Sequence, residues 1–466
     1  MTSPAGGFTP EQLLERLTSL PETKRYWVGF SGGADSTALL DSLLEVQAKL
    51  NVEVRAIHFN HGLQKAADSW QQHCSSFCKK KGVGMEVHAL QIDAGEKNSP
   101  ETQARAARYA IVERILEKDE IYLTAHQAND QAETLLLHLL RGSGLDGLAG
   151  IPALRKLGRG WVARPLLASH RKDLEDYLIR RHIPWITDPS NKELTADRNF
   201  LRNQVFPLLE LRWPGTSQRL AQSAQLAADA RTLLSNLVMK SYSQWLEDPI
   251  IMPAGPLLDL DRPFQALILR QWLRRHGADC PPRARLEEFL DQLRRLDSAS
   301  SQVEIRWDDW MIKRYDISLW LQQAPSPTQC PAHTWSGEPS ARLGAAHGSI
   351  EFTGAHPDLP DKWEIGPRRA GAAMAVRSGG PRKNAKDLMR ACGIPPWLRQ
   401  AVPMIYRNDE LQAVGDWLPG AEFASWLSKI GLSYRWQPEH PLLRKLQSVS
   451  VQCLSTSEFK NEQIQG

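Results

Sequence analysis

The segment Val28-Gly-Phe-Ser-Gly-Gly-Ala-Asp-Ser36 constrains the fold more than any other stretch of the chain. An apolar run, Tyr26 to Phe30, passes directly into paired glycines flanked by hydroxyls, and a helical pattern opens at about Thr37. The same alternation recurs through the first 126 residues. Strands are predicted at Tyr26–Phe30, Val52–Asn60, Met85–Ile92 and Glu120–His126, and helices at Ser36–Leu50, Ala66–Lys81 and Pro100–Lys118, the last with Ser99 as N-cap and Pro100 at its first position. Parallel strands joined by crossover helices form a doubly wound α/β sheet. Such sheets bind ligands beyond the carboxyl ends of their strands, so the segments after Phe30, Asn60 and His126 are expected to converge on one site.

The glycine turn has the makings of an anion site. Paired glycines let backbone N–H groups approach phosphate oxygens, Ser31 and Ser36 add hydroxyls, and a helix N-terminus contributes about half a positive charge. The lysine of a Walker loop is missing, so cleavage of ATP between its α and β phosphates, with adenylation of a substrate, is the chemistry that fits.

Beyond this region the pattern loosens. Leu145 to Arg171 is loop-rich, Lys172 to Arg181 is helical, and Trp213-Pro-Gly215 punctuates the chain before a long helical stretch, Ser217 to Leu246. Further helices are expected near Phe264–His276 and Ala284–Leu296, then strands at Gln302–Trp307 and Trp310–Leu321 around an Asp308-Asp309 turn. The Pro-rich segment Ala324–Pro331 reads as a linker. The expected organisation is an α/β domain at 1–214, a mainly helical domain at 215–323, a linker at 324–333, a small α+β domain at 334–447 and a frayed tail at 448–466.

Composition narrows the class. With 42% hydrophobic and 24% charged residues and a net charge of +4, the 466-residue chain is expected to be globular rather than disordered. No apolar run reaches the ~20 residues of a membrane span, no secretory signal opens the chain, and six irregularly spaced cysteines do not form a disulfide framework. A cytoplasmic protein is expected, with no membrane association and no obligate protein partner indicated. Charge is unevenly distributed. Gly147 to Lys172 holds Arg155, Lys156, Arg159, Arg164, Arg171 and Lys172 with no acid, and Pro367 to Arg407 holds nine Lys/Arg residues against Asp387 alone. These two stretches suit phosphate contacts, and Trp397 within the second suits stacking on an unpaired base.

Asp130 and Glu133 lie three apart at a helix start near the end of the Glu120–His126 strand, so their carboxylates share a face that suits either Mg²⁺ or an ammonium group. Either also suits proton transfer, and His126 would face the same site. His58, Asn60 and His61 cluster at another strand end, where nucleotide or base contacts and loop capping are equally compatible. Cys74 and Cys78, four apart on a helix, read as core rather than as a metal or sulfur-transfer pair.

Ser31-Gly-Gly-Ala-Asp-Ser36 resembles the PP-loop of the N-type ATP pyrophosphatases. Further segments are His58-Phe-Asn-His-Gly-Leu63, Glu101 with Ala104-Arg105 and Arg108-Tyr109, Thr124-Ala-His126, Asp130-Gln-Ala-Glu-Thr134, Arg141-Gly-Ser-Gly144, Arg164-Pro-Leu-Leu167, Asp188-Pro-Ser-Asn191 and Arg198-Asn199 with Arg202. Together they resemble the tRNA(Ile)-lysidine synthases from Ser31 to about Pro207, and Gly393-Ile-Pro-Pro-Trp-Leu-Arg399 with Pro403 resembles the appended domain of longer members. The resemblance implies an enzyme using ATP and Mg²⁺ to ligate L-lysine to C2 of the wobble cytidine in a CAU-anticodon isoleucine tRNA. It implies ATP binding by Ser31, Gly32, Gly33, Ala34, Asp35 and Ser36, with Asp35 on Mg²⁺ through water. It favours Asp35, His126, Asp130 and Glu133 as catalytic groups. Lysine or cytidine contacts are implied for His58, Asn60, His61, Arg105, Asp130, Glu133, Arg141 and Arg198. Contacts with tRNA are implied for Arg164, Arg171, Lys172, Arg202, Arg368, Arg369, Arg382, Lys383 and Arg399. Asn129 departs from the second Asp common in the family. An amidating ligase on a small molecule, a tRNA thiolation enzyme and a tRNA-binding module with a vestigial loop are the alternatives. The lack of a paired-cysteine motif counts against thiolation.

Overall fold

Side chains alternate along Arg25–Gly29 so that Tyr26 and Val28 enter one core and Trp27 the other, which requires this strand to lie between two helical layers. The computed structural model describes residues 7–60, 67–90, 100–187, 197–295, 303–354 and 362–456. The chain forms two units, Met1–Asn236 and Leu237–Gly466.

In chain order the first unit runs α1 (Pro10–Thr18), β1 (Arg25–Gly29), α2 (Ala34–Leu50), β2 (Glu53–Asn60), α3 (Ala67–Lys81), β3 (Gly84–Ala89), α4 (Pro100–Ile115), β4 (Glu120–Leu123) and α5 (Ala128–Leu140). It continues with α6 (Leu145–Leu148), β5 (Leu154–Leu157), β6 (Gly160–Ala163), α7 (Arg171–Arg180), α8 (Asp197–Phe200), a π-helical turn (Leu201–Val205), α9 (Phe206–Arg212) and α10 (Thr216–Leu246), which runs on into the second unit. The strands order β3-β2-β1-β4-β6-β5, all parallel except β5. The direction of winding reverses between β1 and β4, which places the ligand crevice at their carboxyl ends. The β5–β6 hairpin falls in the stretch read from sequence as loop, because its glycines mask two four-residue strands. Buried Asp41 braces the layer behind α2, accepting from Lys81 Nζ at 2.6 Å on α3 and from Tyr177 Oη at 2.7 Å and Arg181 Nε at 2.9 Å at α7. Cys74 and Cys78 are buried beneath the glycine turn, where burial pushes both thiols up to about 12.

The second unit contains two cores. The first joins helices Arg262–Arg275 and Arg283–Arg295 to a four-stranded antiparallel sheet of Ile251–Pro253, Glu304–Trp307, Trp310–Tyr315 and Ser318–Gln323. The single strand expected at Trp310–Leu321 is therefore a hairpin, turned at Asp316, whose φ is +53°. The other core is built on antiparallel sheets and the helices Ala385–Ala391, Ala421–Ile430 and Pro441–Thr456. The compact units divide at 236/237, within α10, whose Leu220 packs against Ala132, Leu201 and Phe206. Among the described residues no helix is long and apolar enough to cross a membrane, and Cys74, Cys78 and Cys330 are buried free thiols.

Candidate active site

β1 ends at Gly29, and the chain turns through Ser31 to Gly33 into α2, whose N-terminus no side chain caps. Gly32 takes φ +81°, and a Cβ there would lie 2.6 Å from Ile186 Cδ1 and 2.9 Å from Cys74 Sγ, so only glycine fits. At Gly33, with φ −71°, the nearest atom to a Cβ is Ser31 Oγ at 3.5 Å. The turn is held from within. Ser36 Oγ donates to Gly33 O at 3.0 Å and lies 3.1 Å from Ser31 Oγ, while Thr37 Oγ1 reaches the Gly32 and Gly33 carbonyls. Ile186 N donates to Gly32 O at 2.8 Å, tying the turn to the segment after α7. Ile186 was not marked by sequence, since its role depends on a chain crossing.

Asp35 is the unbalanced group. Its Oδ1 is buried without a hydrogen-bond partner, and burial, reinforced by Asp130, pushes its carboxyl up to about 7. A cation placed against it would restore the charged form. Among the described residues no three His, Cys, Asp or Glu side chains are grouped to hold a metal. The buried, unpartnered Asp35 oxygen is a single hard donor of the kind that suits Mg²⁺ held mainly by other oxygen ligands.

Across the crevice, α5 opens with a capping box. Gln127 Oε1 accepts from Asn129 N at 2.7 Å, and Asp130 Oδ2 accepts from Gln127 N at 3.0 Å. Asp130 thus has a structural task through Oδ2, leaving Oδ1 to face the crevice, and Asn129 lines the adjoining cavity. Glu133 is buried, and burial raises its carboxyl above the ordinary range despite the opposing pull of Arg202. His126 Nδ1 lies 2.8 Å from Thr124 Oγ1, and burial lowers its ring to about 4, Asp130 opposing and Arg164, Arg105 and Arg198 assisting.

The arginines are sorted differently from expectation. Arg202, expected to contact tRNA, instead forks across both carboxylates, Nε to Glu133 Oε1 at 2.7 Å and Nη2 to Glu133 Oε2 at 2.9 Å and Asp130 Oδ1 at 3.1 Å. Arg198 donates to Thr134 Oγ1 at 2.7 Å with its Nε 3.5 Å from Glu133 Oε2. The i,i+4 spacing of Arg198 and Arg202 against the i,i+3 carboxylates was the available signal for this facing pair. Arg164 is also corrected. It is 3% exposed, binding Pro152 O at 2.7 Å and Tyr109 Oη at 3.1 Å, so it holds the crevice floor and offers nothing to an external backbone. Tyr109, part of the Arg108-Tyr109 pair quoted above, has its ring centroid 5.3 Å from the Arg105 guanidinium and 4.5 Å from that of Arg155. Arg141 is exposed and pairs with Asp197 at 3.0 Å.

His58 is not presented to the crevice. It is buried with Nδ1 2.8 Å from Phe30 O, and burial lowers its ring below the usual range, which makes it a tie between β1 and β2. Asn60 donates to Gln71 Oε1 at 3.0 Å, the loop-capping role; His61 and the Asp188–Asn191 segment lie outside the described residues. Arg171 and Lys172 open α7 and, with His170, Asp173, Arg202, Phe206 and Glu210, line a cavity of about 530 Å³.

In the second unit Arg382 and Lys383 stand exposed on the hairpin Ala373–Ala375/Arg382–Asn384, although Arg382 also meets Glu410 at 3.2 Å. The guanidinium of Arg369, half-buried, spans Glu364 and Asp409 and lies 4.2 Å from the Tyr406 ring centroid. Arg399 Nε donates to Ile394 O at 3.1 Å, and Arg368 is half-buried.

The PP-loop domain model matches residues 9–209, the TilS substrate binding domain 253–320 and the TilS substrate C-terminal domain 363–436. The tRNA(Ile)-lysidine synthase of Methylococcus capsulatus is 36% identical over 430 residues, covering 89% of this chain and 96% of that one. Those of Coxiella burnetii and Pseudomonas syringae are 34% and 35% identical, covering 87% and 90% of this chain and 92% and 95% of theirs. The chain belongs to the tRNA(Ile)-lysidine synthase family. A solved U34-tRNA thiolase from Methanococcus maripaludis is more distant, at 16% identity and a TM-score of 0.41 over 47% of this chain and 77% of that one, and adds nothing to the assignment. As a tRNA(Ile)-lysidine synthase with a PP-loop domain, the chain is an ATP-using ligase of tRNA modification, and the amidating-ligase, thiolation and vestigial readings fall away.

Proposed function

We propose that the chain ligates L-lysine to C2 of the wobble cytidine in the CAU-anticodon isoleucine tRNA, with Mg²⁺-ATP as the activator, in the cytoplasm. The observation that carries this reading is the meeting of the PP-loop, Asp35 and the Asp130–Glu133 pair in one crevice of a chain from this family.

The cytidine C2 oxygen attacks the α-phosphorus, forming a phosphorus–oxygen bond and releasing pyrophosphate. Gly32, Gly33 and the N-terminus of α2 hold the phosphates, with Ser31 and Ser36 shaping the turn around them. Mg²⁺ at Asp35 supplies charge neutralisation on the phosphate oxygens when bound. The lysine ε-amine then attacks C2, and the C2–O bond breaks to release AMP. Asp130 and Glu133 orient the ammonium form, and Glu133, whose carboxyl is raised by burial, accepts the proton the amine must lose. His126, neutral in its buried setting, orders this end of the crevice through Thr124. Exposed Arg382 and Lys383 suit phosphates of the tRNA body.

The test is AMP formation with and without lysine in the presence of the isoleucine tRNA. An Asp130→Ala variant is expected to lose lysine-dependent turnover while still binding ATP; unchanged activity would remove Asp130 from the mechanism.

A further inference from the structure

The carboxylates assigned to lysine already hold a cation. Arg202 makes three hydrogen bonds to Asp130 and Glu133, and Arg198 lies beside Glu133. Two negative charges therefore face two guanidiniums, and a lysine ammonium added to that group would be a third positive charge on two carboxylates. Lysine binds there with charge balance only where a guanidinium has left. Arg198 is additionally anchored to Thr134, whereas among the described residues Arg202 hydrogen-bonds to these two carboxylates.

Arg202 also has somewhere to go. It sits in the π-helical turn Leu201–Val205, where the regular helical ladder is interrupted, and it lines the roughly 530 Å³ cavity shared with His170, Arg171 and Lys172. The other charged groups lining that cavity are Lys172 and Arg171, the latter paired with Glu175 at 2.8 Å, and the acids Asp173 and Glu210. A phosphate group there would pair with Arg171 and Lys172 and draw Arg202 off the carboxylates.

We propose that Arg202 is a built-in competitor of the substrate lysine, and that a phosphate group entering the cavity beside α7 releases it and opens the lysine site. The proposal rests on the reading that Asp130 and Glu133 take lysine. Its consequence is ordered binding: the phosphate-bearing substrate, nucleotide or tRNA, precedes lysine. An Arg202 latched nine-tenths of the time weakens apparent lysine affinity about tenfold.

The experiment is calorimetric titration of L-lysine into the full chain, as wild type, Arg202→Met, Arg202→Lys and Asp130→Asn, each checked for folding by circular dichroism. Each is titrated alone, with an ATP analogue whose α,β-bridging oxygen is replaced by methylene, and with the unmodified CAU isoleucine tRNA transcript. Arg202→Met is expected to bind lysine alone about tenfold or more tighter than wild type. Arg202→Lys, which keeps the charge, is expected to stay within a few-fold of wild type. The analogue or the tRNA is expected to tighten lysine binding to wild type but not to Arg202→Met, and the arm that does so identifies the phosphate. Equal or weaker lysine binding by folded Arg202→Met, or no detectable binding to it, overturns the competitor. An unresponsive wild type beside a tighter Arg202→Met overturns release by phosphate. Undiminished lysine binding by Asp130→Asn would refute the carboxylate reading itself, an outcome separate from both.

Discussion

Two adjacent glycines separate what the turn needs for folding from what it needs for ATP. At Gly32 an alanine must hold φ near +81°, which costs about 1–2 kcal/mol. Its methyl must also displace Ile186 and Cys74, now 2.6 and 2.9 Å away, adding about 1–3 kcal/mol. A total near 3 kcal/mol lowers the melting of a unit this size by roughly 6–12 °C. Gly33→Ala is different in kind. Its backbone is already extended and the new methyl finds 3.5 Å of clearance, so stability should change by no more than about 0.5 kcal/mol. The same methyl stands over the helix N-terminus where a phosphate must approach, so the KM for ATP is expected to rise about tenfold, equivalent to about 1.4 kcal/mol of lost binding. Thermal melts and initial-rate ATP titrations on both variants decide the matter. A Gly33→Ala enzyme with wild-type KM for ATP, or a Gly32→Ala enzyme as stable as wild type, would refute the reasoning.

Burial favours neutral His126, whose ring falls from 6.5 to about 4, so the unfolded chain takes up this proton first as pH drops. The stability it contributes is complete above about pH 6.5 and is lost as pH falls towards 4, by at most about 3 kcal/mol. Urea titrations between those limits should show a shallower pH dependence for His126→Asn, and an identical slope would contradict the assignment. Arg164 and Lys383 should part company in tRNA binding. Lys383→Ala is expected to reduce the slope of log affinity against log salt by about one, and Arg164→Met to leave the slope unchanged while lowering stability. A reduced slope for Arg164→Met would return that residue to the RNA surface.

The N-terminal sheet was legible because its signals are local. Tyr26, Trp27 and Val28 show strand burial in three consecutive letters, and the glycine pair marks the turn that follows. The β5–β6 hairpin and the turn at Asp316 were missed because short strands leave too few residues for period-two alternation to stand out. For the site, residue types carried the reading further than their partners did. Asp35, Asp130 and Glu133 lie on one crevice, while the contacts of Arg202 with Asp130 and Glu133 and of Arg164 with Pro152 could not be read from the sequence, because a basic residue in a basic stretch gives no sign of which groups lie opposite it. His58 shows the converse. A histidine at a strand end suggests a ligand, and only the Phe30 carbonyl 2.8 Å away shows that its ring is already used.

The most direct test of the account is incorporation of labelled L-lysine by the purified protein with ATP and Mg²⁺, into paired transcripts of the CAU-anticodon isoleucine and methionine tRNAs. Label in the isoleucine tRNA alone, with one AMP and one pyrophosphate released per lysine incorporated, is the predicted result. Lysine-independent AMP formation without label in either RNA would contradict it.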